Sequence, residues 1–179
     1  PGREVHSGVT AKENLKYGTC SKIMLIDDGL EGDFGVELTP ERAASLGSAV
    51  GSAGENIRIG IGTDGCVNSE ALKYGILGGL ISCGARVWDF STRFEAQMYF
   101  FTAFCGLTLG IYIAGGESGT SIKLTEKGGL SLTRSTQRDI VGRLSKGEYN
   151  RCTGAQCKTV TDMQSVGMMY MRELCAQAK

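Results

Sequence analysis

The chain has 179 residues, with 19 basic and 19 acidic side chains and a formal net charge of +0. Balanced charge leaves no electrostatic footprint for nucleic acid or an anionic membrane surface, and no apolar run approaches the ~18 residues of a membrane span. The length suits one domain that buries about two thirds of its unfolded surface, so neither disulfides nor a metal are required to hold a core.

Seven cysteines (Cys20, Cys66, Cys83, Cys105, Cys152, Cys157 and Cys175) are scattered, mostly inside apolar segments. That usage predicts a reduced, cytoplasmic protein with cysteine serving as a small hydrophobe. Residues 1–19 are polar and aperiodic and read as an N-terminal arm. Ser21 to Asp27 (S-K-I-M-L-I-D) is the first apolar run and predicts a strand, and Asp28 to Glu37 reads as a Gly-rich turn. Thr39-Pro40-Glu41 is a strong helix start, with a Thr cap, Pro at the first helical position and an acid in the first turn. The helix should run to about Gly51, with Ala43, Leu46, Gly47 and Val50 on one face.

Ile57 to Ile61 predicts the second strand. Gly62 to Asn68 reads as a loop, and Ser69 opens a helix that Gly84 ends in a left-handed conformation. Ala85 to Phe90 predicts the third strand, Thr92-x-x-Glu95 a capping box for a helix ending near Cys105, and Leu109 to Ala114 the fourth strand. Ser121 to Leu124 with Gly129 to Leu132 forms a smaller strand pair, Thr133 to Lys146 a helix stopped by Gly147, and Thr161 to Ala178 a final helix. Strands that alternate with helices and are apolar throughout predict an α/β protein: a three-layer α/β/α sandwich around a mostly four-stranded mixed sheet. The domain spans 20–150, and 151–179 supplies a C-terminal loop and helix. Leu25, Ile59, Val87, Ile111 and Ile113 are the expected strand core, flanked by Leu46, Leu72, Ile76 and Phe101.

Three local patterns carry candidate chemistry. Gly115, Gly116, Ser118, Gly119, Thr120 and Ser121 form a small-residue stretch whose backbone N–H groups are a candidate cradle for an anion or small ligand. It lacks the lysine of a P-loop and leads into a strand, which favours a tight turn, and Ser118 has no neighbouring base to activate it. Cys152-x4-Cys157 has loose metal-like spacing but no second ligand pair. Asp27, Asp28 and Asp33 are commoner as turn residues than as a cation site. No metal is assigned.

Taken together, G-I-Y-I-A-G-G (Gly110 to Gly116) and Ile122-Lys123-Leu124 resemble the region where an α-D-phosphohexomutase, a relative of phosphoglucomutase or phosphomannomutase, carries its phosphorylated serine. Asp28-Gly29-Leu30-Glu31-Gly32 with Glu37-Leu38-Thr39-Pro40-Glu41 is similar to D-G-I-R-G and E-L-T-P-E. Gly62 to Leu72 is similar to G-R-D-T-R-x-S-S-E-A-L. The resemblance covers about Ile23 to Tyr149 and implies domain I of that superfamily, an isomerase class of intramolecular phosphotransferases in carbohydrate metabolism. It matches Gly115 to the nucleophile and Glu31, Thr63 and Cys66 to phosphate-gripping arginines, so it implies a catalytically degenerate member. The family also implies Mg2+ and a hexose bisphosphate activator, neither expected for this chain, and three further domains that thirty residues after Tyr149 cannot supply.

The resulting expectation is a pseudoenzyme: a binding or assembly module rather than an enzyme by itself. The alternatives are the N-terminal domain of a longer mutase-type protein, and a domain that holds a small phosphorylated metabolite on the glycine loop. The apolar 160–178 helix is a candidate contact for missing C-terminal domains or for a homodimer, with Met163, Val166, Tyr170 and Leu174 buried at least partly against a second chain.

Overall fold

The computed structural model describes residues 29–116 and 119–177. The arm, the strand expected at Ser21–Asp27 with its core residue Leu25, and Ser118 lie outside these residues. In chain order the elements are β1 (Gly29–Gly32), α1 (Pro40–Gly51), β2 (Arg58–Thr63), α2 (Val67–Ser82), β3 (Arg86–Thr92), α3 (Glu95–Phe104) and β4 (Leu109–Gly116). They continue with β5 (Gly119–Glu126), β6 (Leu130–Ser131), α4 (Arg134–Lys146), β7 (Thr161–Asp162) and α5 (Gly167–Gln177).

The sheet order is β1-β5-β4-β2-β3-β7, with β6 paired to β5. The four long strands are β2 to β5, and three short ones extend the sheet at its margins. β2 lies parallel to β3 and β4, whereas β5 runs antiparallel to β4 and β1, so the sheet is mixed.

Helices cover both faces. Ile59 and Ile61 of β2 and Ile111 and Ile113 of β4 point to the α1, α2 and α4 side, where Leu46, Leu72, Ile76 and Ile140 complete one core. Phe90, Met98, Phe101, Leu107 and Tyr112 form the second core under α3, with Phe90 stacked on Phe101 at 4.8 Å. On this face β2 and β4 present glycines. A Cβ at Gly60 would stand 2.6 Å from Leu107 Cδ1, and one at Gly110 2.1 Å from Thr102 Oγ1. The strands therefore look apolar throughout because one face carries isoleucine and the other mostly makes room for the side chains opposite. α1 and α2 meet almost at backbone distance: a Cβ at Gly79 would lie 2.1 Å from the Ala44 carbonyl oxygen, and one at Gly47 2.3 Å from that of Ile76.

Helix ends follow local chemistry. Thr39 Oγ1 accepts the Arg42 N–H at 3.4 Å and Thr133 Oγ1 accepts that of Thr136 at 3.3 Å. Gly147, with φ 67°, closes α4 in the left-handed region. Elsewhere the boundaries move. Residues 29–32, expected within a turn, are strand β1, because β5 offers them a ladder partner. α2 begins at Val67, after Cys66, rather than at Ser69. Thr92 ends β3 and caps nothing; the Phe94 N–H instead donates to Gln97 Oε1 at 3.0 Å, while Glu95 takes Lys123 Nζ at 2.9 Å.

The expected helix from Thr161 is shorter. Thr161 and Asp162 pair with Trp88 and Asp89 as β7, a turn of 3-10 helix spans Gln164–Val166, and α5 starts only at Gly167. Arg93 holds this segment down by donating to the Thr92 and Gln164 carbonyls. Met163, Val166 and Tyr170 then pack on the second core of their own chain, with Tyr170 edge-on to Phe100 at 5.3 Å. Within the single chain Leu174 is 45% exposed and Met168 71%. The six described cysteines are all exposed or half-buried, and among them Cys105 packs as a small apolar group against the second core. Among the described residues no helix is long and apolar enough to cross a membrane.

Candidate functional site: the cleft at the β4–β5 hairpin

Gly115 pairs with Thr120 and Gly116 with Gly119, so the glycine-rich stretch lies on two adjacent antiparallel strands. Gly119 has φ 127°, a backbone conformation that glycine tolerates and other residues rarely adopt. On the far side of β5, β1 sets Glu31 opposite Ser121 and Gly32 opposite Thr120. Glu31, Gly32, Asp33, Ala114, Gly115, Gly116, Gly119, Thr120 and Ser121 thus line one open cleft of about 540 Å³. Of the candidate residues read from the sequence, the cleft gathers Gly115, Gly116, Gly119, Thr120, Ser121 and Glu31 into one place.

Two other candidates fall outside that lining. Thr63 is fully buried: its hydroxyl donates to Glu70 Oε1 at 2.6 Å and accepts the Gly65 N–H at 3.2 Å. Glu70 in turn pairs with Lys73 at 2.8 Å, and Lys73, only 5% exposed, reaches Asp89 at 3.4 Å. Burial opposes charge on Lys73, but the Glu70 and Asp89 carboxylates outweigh it and hold its ammonium above the usual lysine range. Thr63 therefore anchors a polar chain beneath the sheet's end. Cys66 is exposed and occupies the N-cap of α2.

The cleft floor is organised by two residues that the sequence does not single out. Asp64 accepts the Gly115 N–H through Oδ2 at 2.7 Å and the Cys66 N–H through Oδ1 at 3.0 Å. Partial burial pushes this carboxyl up, yet the backbone donors Cys66 and Gly115 prevail and keep it below the usual aspartate range. Asn68, in the first turn of α2, donates from Nδ2 to Thr120 Oγ1 at 3.1 Å. Its amide lies directly over Gly115: a Cβ there would stand 2.3 Å from Asn68 Oδ1 and 2.6 Å from Nδ2. Asparagine at position 68, where the matched motif has serine, was the one sequence signal for this contact.

This arrangement disfavours an anion. The Gly115 N–H is already committed to Asp64, and the described lining holds the carboxylates of Glu31 and Asp33 without a lysine or arginine. Nor do the described residues fit a metal ion, since nowhere among them do three His, Cys, Asp or Glu side chains converge. Asp27 and Asp28 of the acidic trio lie outside the described residues.

Residues 24–151 match the family described as phosphoglucomutase/phosphomannomutase, alpha/beta/alpha domain I. The chain belongs to that family. A phosphoglucosamine mutase of Oceanobacillus iheyensis is 31% identical over 156 residues, covering 82% of this chain and 35% of the relative. A phosphoglucosamine/phosphogalactosamine mutase of Sulfurisphaera tokodaii is 28% identical over 117 residues, covering 63% of this chain and 26% of its own length. The fold of a solved putative phosphomannomutase from Thermus thermophilus superposes with a TM-score of 0.73 at 15% identity, over 88% of this chain and 36% of that one. A phosphoglucomutase/phosphomannomutase family protein from Burkholderia thailandensis gives 0.71 at 17% identity, over 85% and 35%. The chain thus spans about a quarter to a third of the length of these mutase relatives.

Proposed function

We propose that this phosphohexomutase-family domain acts by binding or assembly and has lost the phosphoserine nucleophile and the arginines that would grip phosphate. The observation that carries the reading is the Asn68 amide over Gly115: the space a nucleophilic side chain would need at that position is filled from α2. Glu31 and Asp33 in the cleft add repulsion toward a phosphate dianion. Glycine itself offers no group to phosphorylate. The test is incubation with a hexose 1,6-bisphosphate followed by intact mass measurement. An unchanged mass is expected; the gain of one phosphoryl group would overturn the reading.

A second reading is supported by length. Because the chain spans about a quarter to a third of its mutase relatives, it fits the first domain of a longer mutase-type protein of carbohydrate metabolism whose other parts supply the chemistry. Sizing the protein in cell extracts with an antibody against this domain separates the two, since a band near 19.0 kDa excludes the longer protein. We place the domain in the cytoplasm, supported by the free surface thiols, and take the outward side of α5, with Met168, Met171 and Leu174 exposed, as its assembly surface.

A further inference from the structure

A second cleft, of about 510 Å³, opens between the C-terminal end of α2 and the segment after α4, with Cys83, Arg151, Cys152 and Lys158 in its wall. Cys152 is pinned there: its N–H donates to the Ser82 carbonyl at 2.9 Å and its thiol to that of Ile81 at 3.4 Å. The chain then folds back in a turn of 3-10 helix, Gly154–Gln156, in which Gln156 Oε1 accepts the Thr153 N–H at 3.0 Å and its hydroxyl at 3.1 Å. This turn delivers Cys157 Sγ to 3.5 Å from Cys152 Sγ. Cys157 is exposed and Cys152 half-buried. Cys83, the third thiol of the region, donates to the Ser48 carbonyl of α1 at 3.4 Å.

We propose that Cys152 and Cys157 form a thiol–disulfide modification site, entered at the exposed Cys157 and closed within the chain by Cys152. The two sulfurs need to approach by about 1.5 Å to reach bonding distance, and the exposed 3-10 turn is the part that moves. The oxidant is a low-molecular-weight disulfide. The Cys157 thiolate attacks one of its sulfurs, forming a mixed disulfide and releasing one thiolate. The Cys152 thiolate then attacks Cys157 Sγ, forming the intrachain bond and expelling the second thiolate. The two protons lost by the cysteines end on the two small thiols, so one disulfide is reduced as the dithiol is oxidised. Partial burial and the adjacent Cys157 thiol push the Cys152 thiol up, which leaves less of it as thiolate and disfavours it as the first to attack. Closure removes the thiol donor to the Ile81 carbonyl and ties the turn to the cleft rim.

The test is equilibration of the whole chain with reduced and oxidised glutathione, followed by alkylation and peptide mapping. A Cys152–Cys157 link that persists in Cys83→Ser is expected, as is a trapped glutathione adduct on Cys157 in Cys152→Ser. The effective concentration of the pair, relative to glutathione, should be at least about tenfold higher in the folded chain than in the same chain unfolded in urea. A smaller gain, a link from Cys152 to Cys83, a link between chains, or full alkylation of both thiols at every ratio would overturn the proposal. Because the folded and unfolded chains share one sequence, the comparison does not depend on any variant folding.

Discussion

At position 115 the space a side chain would enter is occupied by the Asn68 amide. Gly115→Ser would drive its Cβ into the Asn68 amide, and such overpacking costs ~1–3 kcal/mol. Urea unfolding should show that loss for Gly115→Ser and its recovery in Gly115→Ser combined with Asn68→Ala, less the Asn68–Thr120 hydrogen bond. Equal losses in the single and double variants would contradict the contact. Asp64 permits a test by pH. Its carboxyl is held below the usual range in the fold, so its contribution is fully present above the unfolded value of about 3.9 and fades as pH falls through the lower folded value. Asp64→Asn should therefore be less stable by ~1–3 kcal/mol at neutral pH, with the deficit narrowing below about pH 4. A deficit independent of pH would mean that the carboxylate's charge plays no part. The sequence revealed Gly115 through the motif around it, but Asn68 and Asp64 act across 47 and 51 positions of chain, a juxtaposition that neither periodicity nor local propensity encodes.

At the scale of elements, legibility followed the strength of the end signals. α1 was readable at both ends because Thr39, Pro40 and Glu41 start it by local chemistry alone. β1 and β7 were not, since strands of four and two residues carry no period and exist only because a neighbour completes their ladder. The close α1–α2 contact can be tested at two adjacent glycines. Gly78 has no heavy atom within 4 Å of where a Cβ would stand, whereas at Gly79 the Ala44 carbonyl oxygen lies 2.1 Å away. Gly78→Ala should stabilise by about 0.5–1 kcal/mol through helix propensity, and Gly79→Ala should destabilise by ~1–3 kcal/mol. The measurement is the shift in urea midpoint at constant slope. The same sign at both positions would show that the two helices are not packed at backbone distance.

The whole molecule has an inner and an outer side to its last helix. Tyr170 faces the second core and Met168 faces solvent, so assembly and folding respond to different substitutions. Met168→Lys should leave thermal stability within about 0.5 kcal/mol and abolish any self-association seen by light scattering. Tyr170→Glu should instead destabilise the chain. A parent that stays monomeric at high micromolar concentration would remove the self-association reading of α5. Sheet order also carries a cost in time. β1 pairs with β5, whose residues follow it by about ninety positions, as in Gly29 against Lys123. At a synthesis rate of about 5–20 residues per second, the edge groups of β1 wait roughly 5–20 s before their partner exists. During translation α1, β2, α2 and β3 are made first, so the cleft wall that Glu31 supplies is among the last parts of the domain to close.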